Sequence, residues 1–211
     1  MENAELVQGL AVEIEKRLRR SKTPVPIGVS NRHAHVTKEH FETLFGKGAV
    51  LSRFRDLSQP GQFASHEKMD VMGAKGSIKG VRLLGPFRSK TQIEVSWTEA
   101  ITLGAQPPVR ESGDLVGSAA LTLVGPAGSV ELREGLILAR RHLHCAPGDA
   151  GAIGLANGET VRVRVGRGGQ RETVFEGAIV RVSDKFSLAL HLDTDEANAA
   201  GVKNGDLAYI V

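Results

Sequence analysis

The sequence is poor in cysteine, in aromatic residues and in long apolar runs, and each shortage excludes a class of protein. Its one cysteine, Cys145, excludes an intrachain disulfide, which fits a reducing compartment. Aromatic residues make up 4% of the chain, and no long basic run is interleaved with them; we therefore expect no nucleic-acid partner. No apolar stretch is long enough to span a bilayer, and we expect no membrane partner either.

Glycine, in contrast, is abundant, and the chain carries a small excess of basic residues. Twenty-five glycines separate short apolar segments, such as residues 121–124 and 161–165, and the net charge is +3. Short strands divided by glycine-rich turns are typical of barrels and sandwiches. We expect a mainly β fold with small helical caps, whose mild positive charge would suit a small anionic substrate.

The N-terminal segment has a different pattern. Apolar residues recur at helical spacing over residues 3–20, and charged residues occupy most of the other positions. This pattern predicts an amphipathic helix, which Pro24 would end. The helix either packs on its own domain or serves as a detachable docking helix that lays its apolar face on a partner.

The motif Arg-His-x-His occurs twice, at residues 32–35 and 141–144. Each copy follows an apolar strand and precedes a predicted short helix, which Thr37 begins in the first copy and Pro147 in the second. Residues at positions i and i+2 of a strand point to the same side, so each pair of histidines can reach one metal ion.

A second element repeats further along each half. Residues 93–100 resemble residues 190–197, and aligning them places Glu94 opposite His191. Each half then offers three candidate ligands, and the two sets are His33, His35 and Glu94, and His142, His144 and His191.

Such sets favour catalytic metal over structural metal. Two histidines with a glutamate, or three histidines, leave an open coordination position, as catalytic zinc does, whereas structural zinc is closed, usually by thiolates. If the halves pack about a pseudo-two-fold axis, the two ions would meet at one interface and act on one substrate. The alternative is that these histidines are structural.

Other polar residues are weaker candidates. Arg88 suits a phosphate, which an arginine can bind through two parallel hydrogen bonds. Gln59 and Gln62 flank a turn that could present amides to a ligand, and Ser112 offers a hydroxyl on a glycine-containing loop. Each could equally be an ordinary surface residue. Cys145 follows the second histidine pair directly, either as a ligand or nucleophile or as a small buried residue.

Several blocks of the sequence, in order, resemble the PduL-type phosphate propanoyltransferases. They include the strand and first motif at residues 27–35, the turn at 59–62, the segment at 81–88 and the second motif at 141–144. Residues 91–96 and 191–201 complete the resemblance.

The resemblance implies a fold and a domain division. We expect two β-barrels capped by short α-helices and related by pseudo-two-fold symmetry, after an amphipathic encapsulation-type helix at residues 1–20. One barrel would be discontinuous, formed by residues 21–31 and 140–211, and the other would be formed by residues 32–139.

The resemblance also implies roles for individual residues. The two sets of three ligands would each hold one zinc ion, giving two zinc ions per chain, and Arg88 would bind phosphate. Gln59, Gln62 and Ser112 are further candidates for the catalytic region. The residues that match coenzyme A contacts are Val29, Ser30, Asn31, Lys75, Arg82 and Asn198.

The implied reaction interconverts acyl-CoA, typically propanoyl-CoA, and phosphate with acyl phosphate and CoA, by direct attack of phosphate on the thioester. Such enzymes act in propanediol degradation within bacterial microcompartments, so we expect a cytoplasmic microcompartment location, contact with shell or cargo through the helix, and a homo-oligomer. The alternatives are a metal-dependent thioester or phosphoester hydrolase and a non-catalytic shell or cargo protein. A covalent route through Cys145 or Ser112 is the mechanistic alternative.

Overall fold

The computed structural model describes residues 2–211, with side chains from residue 5 onward. Strands dominate the described residues, as predicted, and the helices are short apart from the first. In chain order the elements are α1 (Glu2–Lys22), β1 (Val25–Ser30), β2 (His33–His35), α2 (Lys38–Phe45), β3 (Arg53–Asp56), β4 (Phe63–Met72), β5 (Ser77–Gly85), β6 (Gln92–Val95), α3 (Trp97–Leu103), β7 (Val109–Arg110), β8 (Ala119–Val124), β9 (Ser129–Ala139), β10 (His142–Cys145), α4 (Pro147–Ile153), β11 (Thr160–Val165), β12 (Thr173–Val182), β13 (Ala189–Asp193), α5 (Thr194–Ala200) and β14 (Leu207–Ile210).

The chain divides into two compact units. The first unit comprises the described residues up to Val29, Arg141–Leu192 and Glu196–Val211, and the second unit comprises Ser30–Arg140 and Asp193–Asp195. Each unit contains its own cluster of buried apolar side chains.

The first unit contains a closed six-stranded barrel in the order β1-β13-β10-β12-β11-β14. Strand β10 pairs in parallel with β12 and antiparallel with β13. Leu143 and Leu190 lie opposite each other in the β10–β13 pair and are fully buried. The histidines on either side of Leu143 therefore project from the other face of the strand, as the two-residue period of a strand requires.

The second unit contains a barrel with the same pattern of pairing. Strands β4, β5, β2, β6, β9 and β8 close into a ring, because β8 pairs with both β9 and β4, while β3 and β7 extend from it. Strand β2 pairs in parallel with β5 and antiparallel with β6, as β10 does with β12 and β13. Two barrels with helical caps are therefore confirmed; the pseudo-two-fold relation stays a prediction.

Short helices follow the two histidine strands, as predicted, and also the two third-ligand strands. Helix α2 begins after Thr37, whose hydroxyl accepts a hydrogen bond from the backbone N–H of His40, and ends at Gly46. Helix α3 begins with a capping box, in which Ser96 and Glu99 each bond the other's backbone N–H. Such caps satisfy N–H groups that a helix start leaves unpaired.

Two glycine-bounded turns cover helix ends in the second unit. The backbone N–H of Ala127 donates to the carbonyl of Leu44 at 2.9 Å, at the end of α2, and that of Lys75 donates to Leu103 at 3.0 Å, at the end of α3. A Cβ atom at Gly125 would lie 2.2 Å from the Leu44 carbonyl oxygen, so only glycine permits this close approach. The turns thus satisfy carbonyls that a helix end leaves unpaired.

Helix α1 confirms the predicted N-terminal helix, and its two ends differ. Leu6, Val7 and Leu10 are each more than half exposed. The last turn, in contrast, is held by Arg20, which donates to the carbonyl of Gly154 at the end of α4 and pairs with Glu159 at 2.6 Å. Among residues 2–211, no helix combines the length and the hydropathy needed to cross a bilayer.

Candidate metal centres

The second unit brings together the first predicted set of ligands. His33 and Glu94 lie directly opposite each other in the β2–β6 pair, and their Nε2 and Oε2 atoms are 3.5 Å apart. Ligand atoms of His33, His35 and Glu94 all lie within 4.8 Å of one another. Two atoms bound to one tetrahedral zinc at ordinary distances are separated by roughly 3.3 Å, so this spacing fits a shared ion.

The histidines of this set present nitrogen atoms suited to a metal. His33 Nδ1 lies 2.8 Å from the carbonyl oxygen of Asn31, an arrangement that leaves Nε2 as the free acceptor. His35 is 2% exposed and its Nδ1 has no hydrogen-bond partner among the described residues. Burial, followed by the charges of His33 and Arg88, lowers the pKa of His35 well below its ordinary value. A buried neutral imidazole with a free nitrogen fits a divalent cation.

The first unit brings together the second predicted set. His142 and His191 lie opposite each other in the β10–β13 pair, and their rings stack with centroids 4.8 Å apart. Ligand nitrogens of these two residues and His144 lie within 4.8 Å of one another. Gly28 on β1 provides room for the His191 ring, because a Cβ atom there would lie 3.3 Å from Nδ1.

His144 is the most enclosed member of this set. Its side chain is buried, and neither ring nitrogen has a hydrogen-bond partner among the described residues. Burial lowers the pKa of His144 to about 2, with further contributions from His142, His191 and Arg181. The ring of Phe186 stacks on it at a centroid distance of 3.8 Å. The first unit therefore offers three imidazoles, one of them buried against an aromatic ring, and this donor set also fits zinc.

A chain of hydrogen bonds extends from Glu94 towards Arg88 in the second unit. Gln92 Nε2 donates to Glu94 Oε1 at 2.5 Å and to Ser112 Oγ at 2.8 Å. Arg88 Nη1 also donates to Ser112 Oγ, at 2.8 Å. The structure thus joins two sequence candidates, Arg88 and Ser112, to the first ligand set. Gln92 was not among the residues predicted from the sequence, although its place two residues before Glu94 on a strand puts both on the same face.

The arginines of the two motifs form ion pairs. Arg32 Nη1 lies 2.8 Å from Glu99 Oε1, and Arg141 Nε lies 2.5 Å from Glu196 Oε1. Each glutamate lies five residues after the third ligand of its half, on the helix that follows that ligand's strand. The repeated arginine therefore links each histidine strand to that helix.

The glutamine candidates shape a turn. Gln59 is buried, and its carbonyl accepts a hydrogen bond from the backbone N–H of Gln62 at 3.2 Å. The carbonyl of Gln62 in turn accepts from Leu57 at 3.1 Å. These contacts account for the turn conformation, and any role of the side-chain amides in catalysis stays a prediction.

The candidates for coenzyme A lie in both units. Val29 and Asn198 belong to the first unit, and Ser30, Asn31, Lys75 and Arg82 to the second. The Val29 N–H donates to Asn204 Oδ1 at 2.7 Å, whereas the side chains of Asn31, Lys75 and Asn198 are exposed.

Arg82 is the most constrained of these candidates. It donates to the carbonyl of Ser65 and lies over the Phe54 ring, 4.8 Å from its centroid. The Asn198 backbone carbonyl accepts a hydrogen bond from Arg171 at 2.9 Å. Coenzyme A contacts by these residues stay a prediction.

Cys145 lies at the end of β10 and is fully buried. Burial, followed by the charges of Asp149 and Glu159, raises the pKa of its thiol to about 11. Because the thiolate is the reactive form of cysteine, these surroundings favour a small buried residue over a nucleophile.

The two barrels, each with a set of three ligands, define a mainly β protein with two candidate metal centres. The family model of phosphate propanoyltransferase matches residues 26–203, and the chain belongs to that family. It is therefore an acyltransferase.

Curated relatives cover nearly the whole chain. A phosphate propanoyltransferase of Priestia megaterium is 50% identical over 211 residues, covering 99% of this chain and 96% of the relative. One from Thermotoga maritima is 46% identical, covering 92% of each chain. One from Clostridioides difficile is 41% identical, covering 100% of this chain and 99% of the relative.

Proposed function

We propose that the chain interconverts acyl-CoA and phosphate with acyl phosphate and CoA, with propanoyl-CoA as the acyl donor and two zinc ions per chain. The family membership supports the reaction class. The observation that carries the metal proposal is the grouping of three ligand atoms within 4.8 Å in each barrel. Buried nitrogens of His35 and His144 that have no hydrogen-bond partner within the described part of the chain add to it.

Zinc at these sets would polarise the thioester carbonyl and stabilise the departing thiolate. The chain's own residues have a separate task, which is to hold the second substrate. The Arg88 guanidinium carries a fixed positive charge, and it donates a hydrogen bond to the Ser112 hydroxyl. An arginine beside a hydroxyl is suited to a phosphate, whose oxygen atoms accept hydrogen bonds from both.

The proposed chemical step is a direct transfer of the acyl group. A phosphate oxygen attacks the acyl carbon directly, a carbon–oxygen bond forms and the carbon–sulfur bond breaks. CoA leaves as its thiolate, and the product is an acyl phosphate. No protein nucleophile is needed, which agrees with the raised pKa of the Cys145 thiol. Holding both substrates together supplies part of the acceleration.

Incubation of the protein with propanoyl-CoA, with and without phosphate, tests this function. Transfer requires phosphate and yields propanoyl phosphate. A metal-dependent hydrolase would instead release propanoate and CoA without phosphate, and that result would contradict the proposal. Acetyl-CoA and lactoyl-CoA in the same assay test the preference for propanoyl-CoA.

Replacement of Arg88 tests the phosphate site more sharply. We expect Arg88→Ala to raise the KM for phosphate by about tenfold to a hundredfold, the usual worth of a lost charge-assisted hydrogen bond. The matched control is Lys90→Ala, which removes an exposed positive charge two residues away and should leave this KM unchanged. An unchanged KM in Arg88→Ala would exclude the assigned role.

For the N-terminal helix we propose the docking role, with the enzyme carried into a bacterial microcompartment in the cytoplasm. The exposed apolar side chains of Leu6, Val7 and Leu10 support this proposal, because exposed apolar patches mark interaction surfaces. Changing Leu6 and Leu10 together to aspartate should abolish co-purification with shells and leave acyl transfer unchanged. Retention of the variant in purified shells would contradict the proposal.

A further inference from the structure

Gln92 is buried beside the ligand set of the second unit, and each of its polar atoms has a partner. It is 2% exposed. Its Oε1 accepts from the backbone N–H of Gly113 at 2.7 Å, and its Nε2 donates to Glu94 and Ser112. These partners fix the orientation of the amide, because a backbone N–H can only donate and an ionised carboxylate can only accept.

The bond to Glu94 constrains the carboxylate. Its Oε1 is engaged by Gln92 at 2.5 Å, while its Oε2 faces His33 Nε2 at 3.5 Å. With Oε1 engaged by Gln92, Oε2 would be the oxygen that meets a cation shared with His33. A hydrogen bond of this kind to a metal ligand fixes its orientation and raises metal affinity.

The bond to Ser112 constrains a hydroxyl. Ser112 Oγ accepts from Gln92 Nε2 and from Arg88 Nη1, each at 2.8 Å. Amide and guanidinium nitrogens have no lone pair to offer, so neither neighbour can accept the hydroxyl hydrogen. Both lone pairs of the oxygen are occupied, and the hydroxyl is left as a donor beside the Arg88 guanidinium.

We propose that Gln92 is a positioning residue that links the metal ligand Glu94 to the hydroxyl that donates to phosphate beside Arg88. This inference rests on the proposed function of the site. Gln92 is not one of the proposed ligands; it acts through Glu94 on one side and Ser112 on the other. The first unit has no such link at the corresponding position, where Ala189 lies opposite His144 just as Gln92 lies opposite His35.

The test compares Gln92→Met, which keeps the length of the side chain and removes its hydrogen bonds, with Ser112→Ala. We expect Gln92→Met to raise the KM for phosphate by about tenfold or more, with the KM for propanoyl-CoA changed less than about twofold. We also expect Gln92→Met to lose one of two bound zinc ions at a chelator concentration roughly tenfold to hundredfold lower than the unaltered protein does. Ser112→Ala should raise the KM for phosphate while both ions are retained.

The double variant tests whether Gln92 acts through Ser112. The KM for phosphate of Gln92→Met/Ser112→Ala should not exceed that of Gln92→Met, because Gln92→Met already releases the hydroxyl that Ser112→Ala removes. The matched control is Gln106→Met, an exposed glutamine of the same unit, which should change none of these quantities. The proposal would be overturned if the two single-variant increases in the KM for phosphate multiplied in the double variant. It would also be overturned if Gln92→Met retained zinc normally and kept the normal KM for phosphate.

Two further measurements keep these outcomes separable. If Gln92→Met does not fold, Gln92→Asn keeps an amide that is too short to reach both partners and should show the same loss of zinc and of phosphate affinity. If the unaltered protein releases CoA without phosphate, the proposed function fails. Zinc retention in the Gln92 variants then still tests the contact with Glu94, and normal retention would overturn it.

Discussion

The two barrels share a strand pattern and a ligand geometry, yet the surroundings of their candidate metal centres differ. In the second unit, Gln92 and Ser112 connect the ligand set to Arg88 through hydrogen bonds. In the first unit, the ring of Phe186 stacks on His144, and Ala189 occupies the place that corresponds to Gln92. The repeat thus preserves the ligands, while Gln92, which connects the ligand set of the second unit to Ser112 and Arg88, is replaced by Ala189 in the first unit.

The barrels also differ at the helix that follows each histidine pair. The end of α2 in the second unit is covered by a glycine-bounded turn, through Ala127. The end of α4 in the first unit is covered by the Arg20 side chain of α1. A side chain from another element therefore performs a task that a backbone turn performs in the second unit, and it makes the last turn of α1 part of the first unit.

Removing one ligand from each set should give the largest effects and tests whether both sets are needed. We expect His33→Ala and His142→Ala each to lose one of two zinc ions and to lower kcat/KM by about a hundredfold or more, as when a group that stabilises the transition state is lost. Metal analysis and the phosphate-dependent assay measure these effects. Full activity in either variant would show that one set is dispensable.

Removing Arg20 tests the contrast at the helix ends. Arg20→Ala leaves the Gly154 carbonyl and the partly buried Glu159 without this partner, and we expect a loss of about 2 kcal/mol in the free energy of unfolding. Arg17 is the matched control, because its side chain is 78% exposed and pairs with Glu13 one turn away. Arg17→Ala should cost less than about 0.5 kcal/mol. If chemical denaturation gave equal losses of unfolding free energy for Arg20→Ala and Arg17→Ala, the assigned role of Arg20 at the end of α4 would be contradicted.

Acid should destabilise the metal-free protein because each unit contains one histidine held neutral by burial. The folded pKa values of His35 and His144 lie below the ordinary value of 6.5. The unfolded chain therefore binds more protons as the pH falls through 6.5, and the folded state loses stability. We expect about 1 kcal/mol of loss between pH 7 and pH 6 in chelator-treated protein.

Replacement of one of these histidines separates the two contributions. His144→Gln should make the pH dependence shallower, because one of the two titrating groups is then absent. Thermal unfolding across this pH range provides the measurement. A stability that is flat between pH 7 and pH 6 would show that the imidazoles are not held neutral.

Replacing the arginines of the two motifs should give the smallest difference in the free energy of unfolding. Arg141 pairs with Glu196, donates to the Glu176 carbonyl and lies over the Phe175 ring. Arg32 pairs with Glu99, but its side chain is more exposed than that of Arg141. We expect Arg141→Ala to cost about 1 kcal/mol and Arg32→Ala less than about 0.5 kcal/mol. The reverse order in denaturation experiments would indicate a further role for Arg32.

Much of the ligand grouping could be predicted from the sequence because it depends on short-range rules. The His-x-His spacing places two imidazoles on one strand face, and the internal repeat pointed to Glu94 and His191 as third ligands. The strand register explains why Glu94 and His191 correspond, since Glu94 lies opposite His33 and His191 lies opposite His142.

The remaining features depend on contacts between residues far apart in the sequence. Strand β1 precedes the first motif but belongs to the unit that contains the second. No local pattern specifies that pairing, and only the family resemblance implied a discontinuous barrel. Gln92 could be placed on a face, but its bonds to Ser112 and Gly113 depend on a loop twenty residues away. Arg20 looked like one of several basic residues of a helix, and only its partners Gly154 and Glu159 distinguish it.

Zinc titration of the chelator-treated protein, followed by release of CoA from propanoyl-CoA, tests the central claim most directly. We predict that two zinc ions bind per chain and that CoA release returns with them, only when phosphate is present and with propanoyl phosphate as the product. Full CoA release by the metal-free protein, or release that does not require phosphate, would contradict a metal-dependent transfer of the acyl group to phosphate.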